Sequence, residues 1–311
     1  MHSLFPPNDP AIFSLPHLAS LDVAGLDARA FLNGQLTNDL LNLPADNAQL
    51  SALCTAQGRV IANFLLYARP MPEGAEAIRL ILSADLASTL PQRLGRYVLR
   101  AKVTFADEPL SHLGISGAGA KSEAARLTGI LAAAGLPDMP SAPLAVTHKG
   151  DNSLLRLPDN DRLILSVPSA HLDDIRRKLE ESLPIVATDI WHWLDVRHVL
   201  PWVSAATSEA FVPQMMNLEK LGAVSFRKGC YTGQEVVARA QHLGQVKRRL
   251  YRVDSNDVLL AGDEWPKGSA SPAGKIIQAA PSPDGYGALA VLACETAKAT
   301  EAIALCPEEH A

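Results

Sequence analysis

At 311 residues the chain exceeds what one small core needs, and 48% hydrophobic against 20% charged residues excludes a disordered protein. A net charge of −5 excludes a general nucleic-acid binder, though not a local basic site. Four cysteines, Cys54, Cys230, Cys294 and Cys306, lack both C-x-x-C and Cys/His cluster spacing, which argues against a disulfide framework and a zinc site.

The amino-terminal stretch carries Pro6, Pro7, Pro10 and Pro16 where a signal peptide would have a basic start and an apolar run, and no stretch is apolar over a membrane-spanning length. The reducing cytosol is the expected location, with no membrane partner. Leu18 to Val23 reads as a strand, and Asp27 caps a short helix through Leu32 that Asn33-Gly34 ends. Gln49 to Thr55 and Arg59 to Tyr67 read as paired strands around the turn Ala56-Gln57-Gly58. Ala77 to Leu82 is a further strand. A helix is expected from Asp85 toward Tyr97, with Pro91 as a break, and a strand from Val98 to Phe105.

A second run follows: a strand at Leu113 to Ser116, a helix at Lys121 to Ala134 ended by Gly135, and short strands at Leu144 to Thr147, Leu154 to Leu157 and Arg162 to Val167. Ser169 to Leu183 has the charge pattern of an amphipathic helix. This order fits a split β-α-β sandwich. Thr188 caps a helix that carries Trp191, Trp193, Leu194 and Val196 and stops at Pro201. From Val246 onward helical periodicity is lost. Strands at Val246 to Val253, Lys275 to Ala279, Tyr286 to Ala293 and Glu301 to Leu305, with turns such as Pro283-Asp284-Gly285, read as a small β-barrel. The boundary falls near His242 to Gln245.

The segment Phe226-Arg227-Lys228-Gly229-Cys230-Tyr231-Thr232-Gly233-Gln234-Glu235 carries the chemistry. Thr232 and Glu235 have capping-box spacing, which predicts a helix running through Val236, Val237 and Arg239. Cys230 then precedes a helix N-terminus beside Arg227 and Lys228, three influences that favour a thiolate. Gly229 and Gly233 permit tight turns or close approach to a ligand. The alternative for Cys230 is a buried small apolar residue beside a capped helix. Between Arg227 and Arg252 seven bases face one acid, Glu235; that window is net +6 and leaves −11 for the rest of the chain. Such a reversal points to an anionic partner, a phosphate, a polycarboxylate or RNA. A solvated strand face is the alternative for Lys247 to Arg249.

The string Lys228 to Glu235, K-G-C-Y-T-G-Q-E, resembles the signature of the YgfZ family. Its flanks Phe211-Val212-Pro213-Gln214, Asn217-Leu218 and Val236-Val237-Ala238-Arg239 are similar too, as are Gly34-Gln35-Leu36-Thr37-Asn38-Asp39, Gln57-Gly58-Arg59 and Leu99-Arg100-Ala101-Lys102-Val103. The resemblance implies the α+β fold of the glycine-cleavage T-protein: an N-terminal folate-binding region with ferredoxin-like elements over 1–241, in lobes of roughly 1–110 and 111–241, and a C-terminal β-barrel over 242–311. It implies tetrahydrofolate binding and support of iron–sulfur client enzymes, including those that thiolate tRNA. It places the family's reactive thiol on Cys230, in a motif of Lys228, Gly229, Tyr231, Thr232, Gly233, Gln234, Glu235 and Arg239, and a folate-contacting Trp on Trp191. For Trp191 the alternative is an aromatic packing one face of a helix.

The sequence departs from the pattern in three respects. A second Trp of the folate site falls on Leu18, and the T-protein acid that grips the pterin falls, by spacing, on Arg197. The T-protein's catalytic acid pair falls on Ala62 and Asn63, which argues against aminomethyl transfer. One cysteine cannot hold an iron–sulfur cluster, so neither a stable cluster nor a resident metal is expected. The leading expectation is a folate-binding accessory protein that uses Cys230. A folate-dependent one-carbon transferase and an RNA-binding module, with tRNA as its partner, stand as alternatives.

Overall fold

The computed structural model describes residues 10–71, 75–106, 109–242, 246–299 and 303–304. They fall into two units. Among the described residues the first comprises those within 10–32, 40–49 and 65–188, and the second those within 33–39, 50–64 and 189–304. The observed class is the expected mixed α+β one.

In the first unit a six-stranded sheet runs in the order Ile185–Val186, Ile12–Ser14, Leu110–Ile115, Leu163–Pro168, Asn152–Arg156, Val146–Lys149. Its first pair is parallel and the others are antiparallel. Helices Lys121–Ala133 and Leu172–Glu180 cover it with residues one helical turn apart, Leu127 with Leu131 and Ile175 with Leu179, packed on Leu113, Ile115, Leu154 and Leu165. Residues 65–70 pair with Glu76–Ser83, which pairs with Leu18–Ala24, which pairs in turn with Thr104–Ala106. Leu18–Ala24 is buried on both faces and still carries Asp22. Arg79 Nε and Nη2 each donate to that carboxylate at 2.7 Å, and Arg69 Nε donates at 3.0 Å, so the buried charge is paired.

In the second unit residues 50–54 of the strand Ala48–Cys54 turn through 55–58 into residues 60–64 of the strand Val60–Pro70. The helix Thr188–Arg197 presents Trp193 to Gly287, where an added Cβ would stand 2.1 Å from the ring. Only a glycine permits that approach. The C-terminal sheet is antiparallel, ordered Glu264–Trp265, Gly274–Ser282, Gly285–Ala293, Arg248–Ser255, Ile303–Ala304, and curls as a half-barrel.

Several local expectations are corrected. The helix expected from Asp85 is a 3-10 turn, Ala84–Leu86, followed by a helix Thr89–Gly95. Pro91 falls in that helix's first turn, where a missing N–H costs nothing, so it breaks nothing. Where a strand was expected from Val98 to Phe105, the observed strand is Thr104–Ala106. The preceding loop is held instead by the Asp27 carboxylate, which accepts Lys102 N–H at 2.7 Å and so does not cap its own helix. Ser169 to Leu183 divides into a 3-10 turn, Ser169–His171, and the helix Leu172–Glu180. The Thr188 hydroxyl donates to the Ser14 carbonyl rather than serving as a cap. A helix, Cys294–Ala299, follows the last long strand, where none was expected. Of the strand Glu301 to Leu305, Ile303–Ala304 is observed; the remainder, with Cys306 and residues 243–245 of the expected boundary, lies outside the described residues. No helix among the described residues is long and apolar enough to cross a membrane.

Candidate functional site

Three stretches far apart in sequence meet in the second unit: the turn Asn33–Asp39, the hairpin turn at 55–58 and the segment 226–235. All three contain sequence echoes noted above. The first contact is through the backbone. Ser225 N–H donates to the Thr37 carbonyl at 2.9 Å, the Thr37 hydroxyl donates to the Ala223 carbonyl at 2.7 Å, and the Asn38 side-chain amide donates to the Gly222 carbonyl at 2.7 Å.

The second contact is Lys228. Its ammonium donates to the carbonyls of Asn33, Leu36 and Asn38 at 2.5, 2.7 and 2.9 Å, and stands 5.2 Å from the centre of the Tyr231 ring. Three N–H groups meet three acceptors, so the donor capacity of the ammonium is filled. Burial pulls its pKa down to about 8, and Asp39 works against that shift. This revises the expectation for Lys228: its charge is spent on the carbonyls of the Asn33–Asp39 turn.

The third contact is Gly233. Its φ is +84°, and an added Cβ would lie 2.4 Å from the Thr55 carbonyl oxygen and 3.0 Å from Gly58 Cα. Gly58, at φ +71°, stands opposite Val236. The motif therefore lies directly on the hairpin turn, and the two glycines make room for one another.

The helix after the motif is Gln234–His242. The capping box is not formed. The Thr232 hydroxyl donates to Gln35 Oε1 at 3.3 Å, and Gln234 Oε1 takes the Tyr231 N–H at 3.3 Å. The left-handed turn at Gly233 delays the helix start to Gln234 and leaves Gln234, rather than Glu235, to reach back. Cys230 is exposed, as are Gly229, Glu235, Val236 and Arg239, whereas Tyr231 is buried. Burial, with the Cys54 thiol nearby, pushes the Tyr231 hydroxyl upward, and burial alone pushes Cys54 up to about 12. Cys230 is thus an accessible thiol, and the buried-apolar alternative does not describe it. Gln214, fully buried, clamps the helix from below by donating to the Val237 carbonyl at 2.7 Å.

Trp191 is 1% exposed, within helix Thr188–Arg197, and Arg197 is exposed. The buried acid of that helix is Asp195, one turn beyond Trp191 and therefore on the same face. Hydrophobic periodicity puts position 195 inward, whereas position 197, on which spacing from the resemblance falls, is outward. Leu18 and the echo at 99–103 belong to the first unit. Ala62 and Asn63 are buried. Of the basic window, Arg227, Arg239, Lys247 and Arg248 are exposed, whereas Arg249 pairs with the Glu219 carboxylate and donates to the Gln214 carbonyl at 2.8 Å.

No protein-family model matches the chain. It is 33% identical over 264 residues to the tRNA-modifying protein YgfZ of Yersinia pseudotuberculosis, an alignment that covers 83% of this chain and 76% of that one. It is 32% identical over 302 residues to the tRNA-modifying protein YgfZ of Serratia proteamaculans, covering 90% and 86%. Among solved structures it superimposes on the glycine cleavage system aminomethyltransferase T of Bartonella henselae with a TM-score of 0.71 at 15% identity, over 92% of this chain and 79% of that one.

Proposed function

This chain belongs to the YgfZ family, and we propose that it is a folate-binding accessory protein that supports tRNA modification, through iron–sulfur client enzymes and with the Cys230 thiol as its working group. The observation that carries the reading is the convergence of Asn33–Asp39, 55–58 and 226–235 around one exposed cysteine. Two anchored residues, Lys228 and Tyr231, flank an exposed thiol. That arrangement suits transient sulfur or cluster chemistry with a partner, because a stable cluster needs more ligands than one cysteine supplies.

The residues of this chain that would hold tetrahydrofolate are Trp191 and Asp195 of the helix Thr188–Arg197. A pterin takes an aromatic contact from a tryptophan and donates ring N–H groups to a carboxylate, and these two groups lie one turn apart on the buried face of the helix. Tetrahydrofolate supplies a one-carbon carrier when bound. Trp191 and Asp195 bind and orient it, and Asn63, whose amide is committed to the backbone at both ends, holds no proton for aminomethyl transfer.

The test is complementation in a host that lacks its own family member. Wild type restores methylthiolated tRNA, and Cys230→Ala fails at equal soluble abundance. Full rescue by Cys230→Ala sinks the role of the thiol. A second reading, direct contact with tRNA, is favoured by the exposed bases Arg227, Arg239, Lys247 and Arg248. Binding that weakens steeply across a salt series supports it.

A further inference from the structure

Between Lys228 and Tyr231 the chain has little support of its own. Gly229 and Cys230 are both exposed, and a Cβ added at Gly229 would meet no atom within 4 Å. The place of the Cys230 thiol is therefore set by the two flanking residues. Tyr231 is anchored by burial and by its N–H bond to Gln234. Lys228 is anchored by its ammonium alone, through the carbonyls of Asn33, Leu36 and Asn38.

Those carbonyls come from six consecutive residues and point their negative ends at one spot. Converging carbonyl dipoles repel each other unless a cation stands among them, and an ammonium with three N–H groups answers three of them at once. The face of Tyr231 lies 5.2 Å away on a fourth side, a favourable placement for a cation.

We propose that Lys228 is a positioning residue, the resident cation of the Asn33–Asn38 turn, and that this anchor rather than its charge near the sulfur sets where Cys230 stands. This rests on the reading of Cys230 as the working thiol only for its consequence. The anchoring itself is read without tRNA, folate or a client enzyme, so the two fail separately.

The experiment compares the full chain carrying Lys228→Ala or Lys228→Arg with wild type, by hydrogen exchange of peptides covering 33–39 and 222–233 and by the pH profile of Cys230 alkylation. Arginine keeps the charge, but its planar fork does not fit three carbonyls gathered round a point. Both variants are expected to exchange about tenfold faster or more in these peptides, a local opening rather than a global one. Ammonium chloride is expected to restore protection in Lys228→Ala, and the bulky tetramethylammonium ion at equal ionic strength is not. The midpoint of the Cys230 alkylation profile stays where it is in wild type. The proposal is overturned if Lys228→Arg matches wild type, if Lys228→Ala keeps its protection, or if the alkylation midpoint moves while protection does not. Variants that fail to fold, and that ammonium does not help to refold, overturn it as well.

Discussion

Asn63 and Val203 are joined end to side: the Asn63 side-chain oxygen accepts Val203 N–H at 2.8 Å, while its amide donates to the Pro201 carbonyl at 2.7 Å. A single buried side chain thereby satisfies the Pro201 carbonyl and the Val203 N–H of a loop outside any strand. The position where the resemblance puts a catalytic acid is occupied by a backbone clasp. Asn63→Asp keeps the shape but turns a donor into an acceptor facing Pro201. It is expected to cost about 1–3 kcal/mol in urea unfolding, and to give no aminomethyl transfer to a lipoyl carrier protein. Turnover by that variant would restore the transferase reading.

Gly233→Ala adds one methyl group where φ is +84° and the Thr55 carbonyl is 2.4 Å away. The backbone strain alone is about 1–2 kcal/mol, and the overlap adds to it. The measurement is the urea midpoint together with the rate at which Cys230 is alkylated. A variant as stable as wild type, with an unchanged rate, would show that the motif does not rest on the hairpin turn.

Thiol labelling separates the described cysteines by environment. Cys230 is exposed; Cys54 is buried, its thiol pushed up to about 12; Cys294 is half-buried, its Sγ 3.5 Å from the Val246 carbonyl oxygen. Iodoacetamide at neutral pH is expected to modify Cys230 first, and Cys54 only on unfolding. Labelling of Cys54 in the native protein at the rate of Cys230 would contradict this arrangement.

Folate binding is read from intrinsic fluorescence. Tetrahydrofolate is expected to quench the wild-type signal. Asp195→Asn, which leaves the ring of Trp191 in place and removes the charge, is expected to weaken binding by about tenfold or more, the loss typical of one charge-assisted hydrogen bond. Equal affinity in Asp195→Asn removes the acid from the site, and equal affinity in Trp191→Ala removes the ring.

The acid limb of stability has a named contributor. His112 is buried between Ser20 and Ser166, its Nε2 and Nδ1 each 3.0 Å from a hydroxyl oxygen, and burial, with Arg79 adding to it, pushes its pKa from 6.5 to about 3. The unfolded chain takes a proton on this ring at a pH where the folded chain does not. Stability from His112 is therefore complete above about pH 6.5 and is lost as pH falls toward 3. His112→Gln is expected to flatten the fall in urea midpoint between pH 7 and pH 4. An undiminished slope would assign the acid limb to other groups.

Most strands and helices were legible because their periodicity is local, as in Leu172–Glu180 with Ile175 and Leu179 facing inward. The octapeptide was legible as a unit, and its neighbours at 34–39 and 57–59 as echoes. Their meeting was not, since hydrogen bonds such as that from Lys228 to the Leu36 carbonyl leave no mark in composition or spacing. For the same reason Lys228 read as an influence on the thiol. The capping box failed because a two-residue rule does not sense that Gly233 must turn left-handed against Thr55. Helical periodicity also separates Asp195, inward, from Arg197, outward, a distinction that spacing along the chain does not draw.

The carbonyls of Asn33 and Leu36 leave the ribosome some 195 and 192 residues before the lysine that answers them. A growing chain carries that turn without its cation until residue 228 follows, and closing so long a loop has an entropic cost of its own. The cysteine emerges later still, beside the anchor that fixes it. A chain cut short before residue 228 has neither the thiol nor a finished place for it.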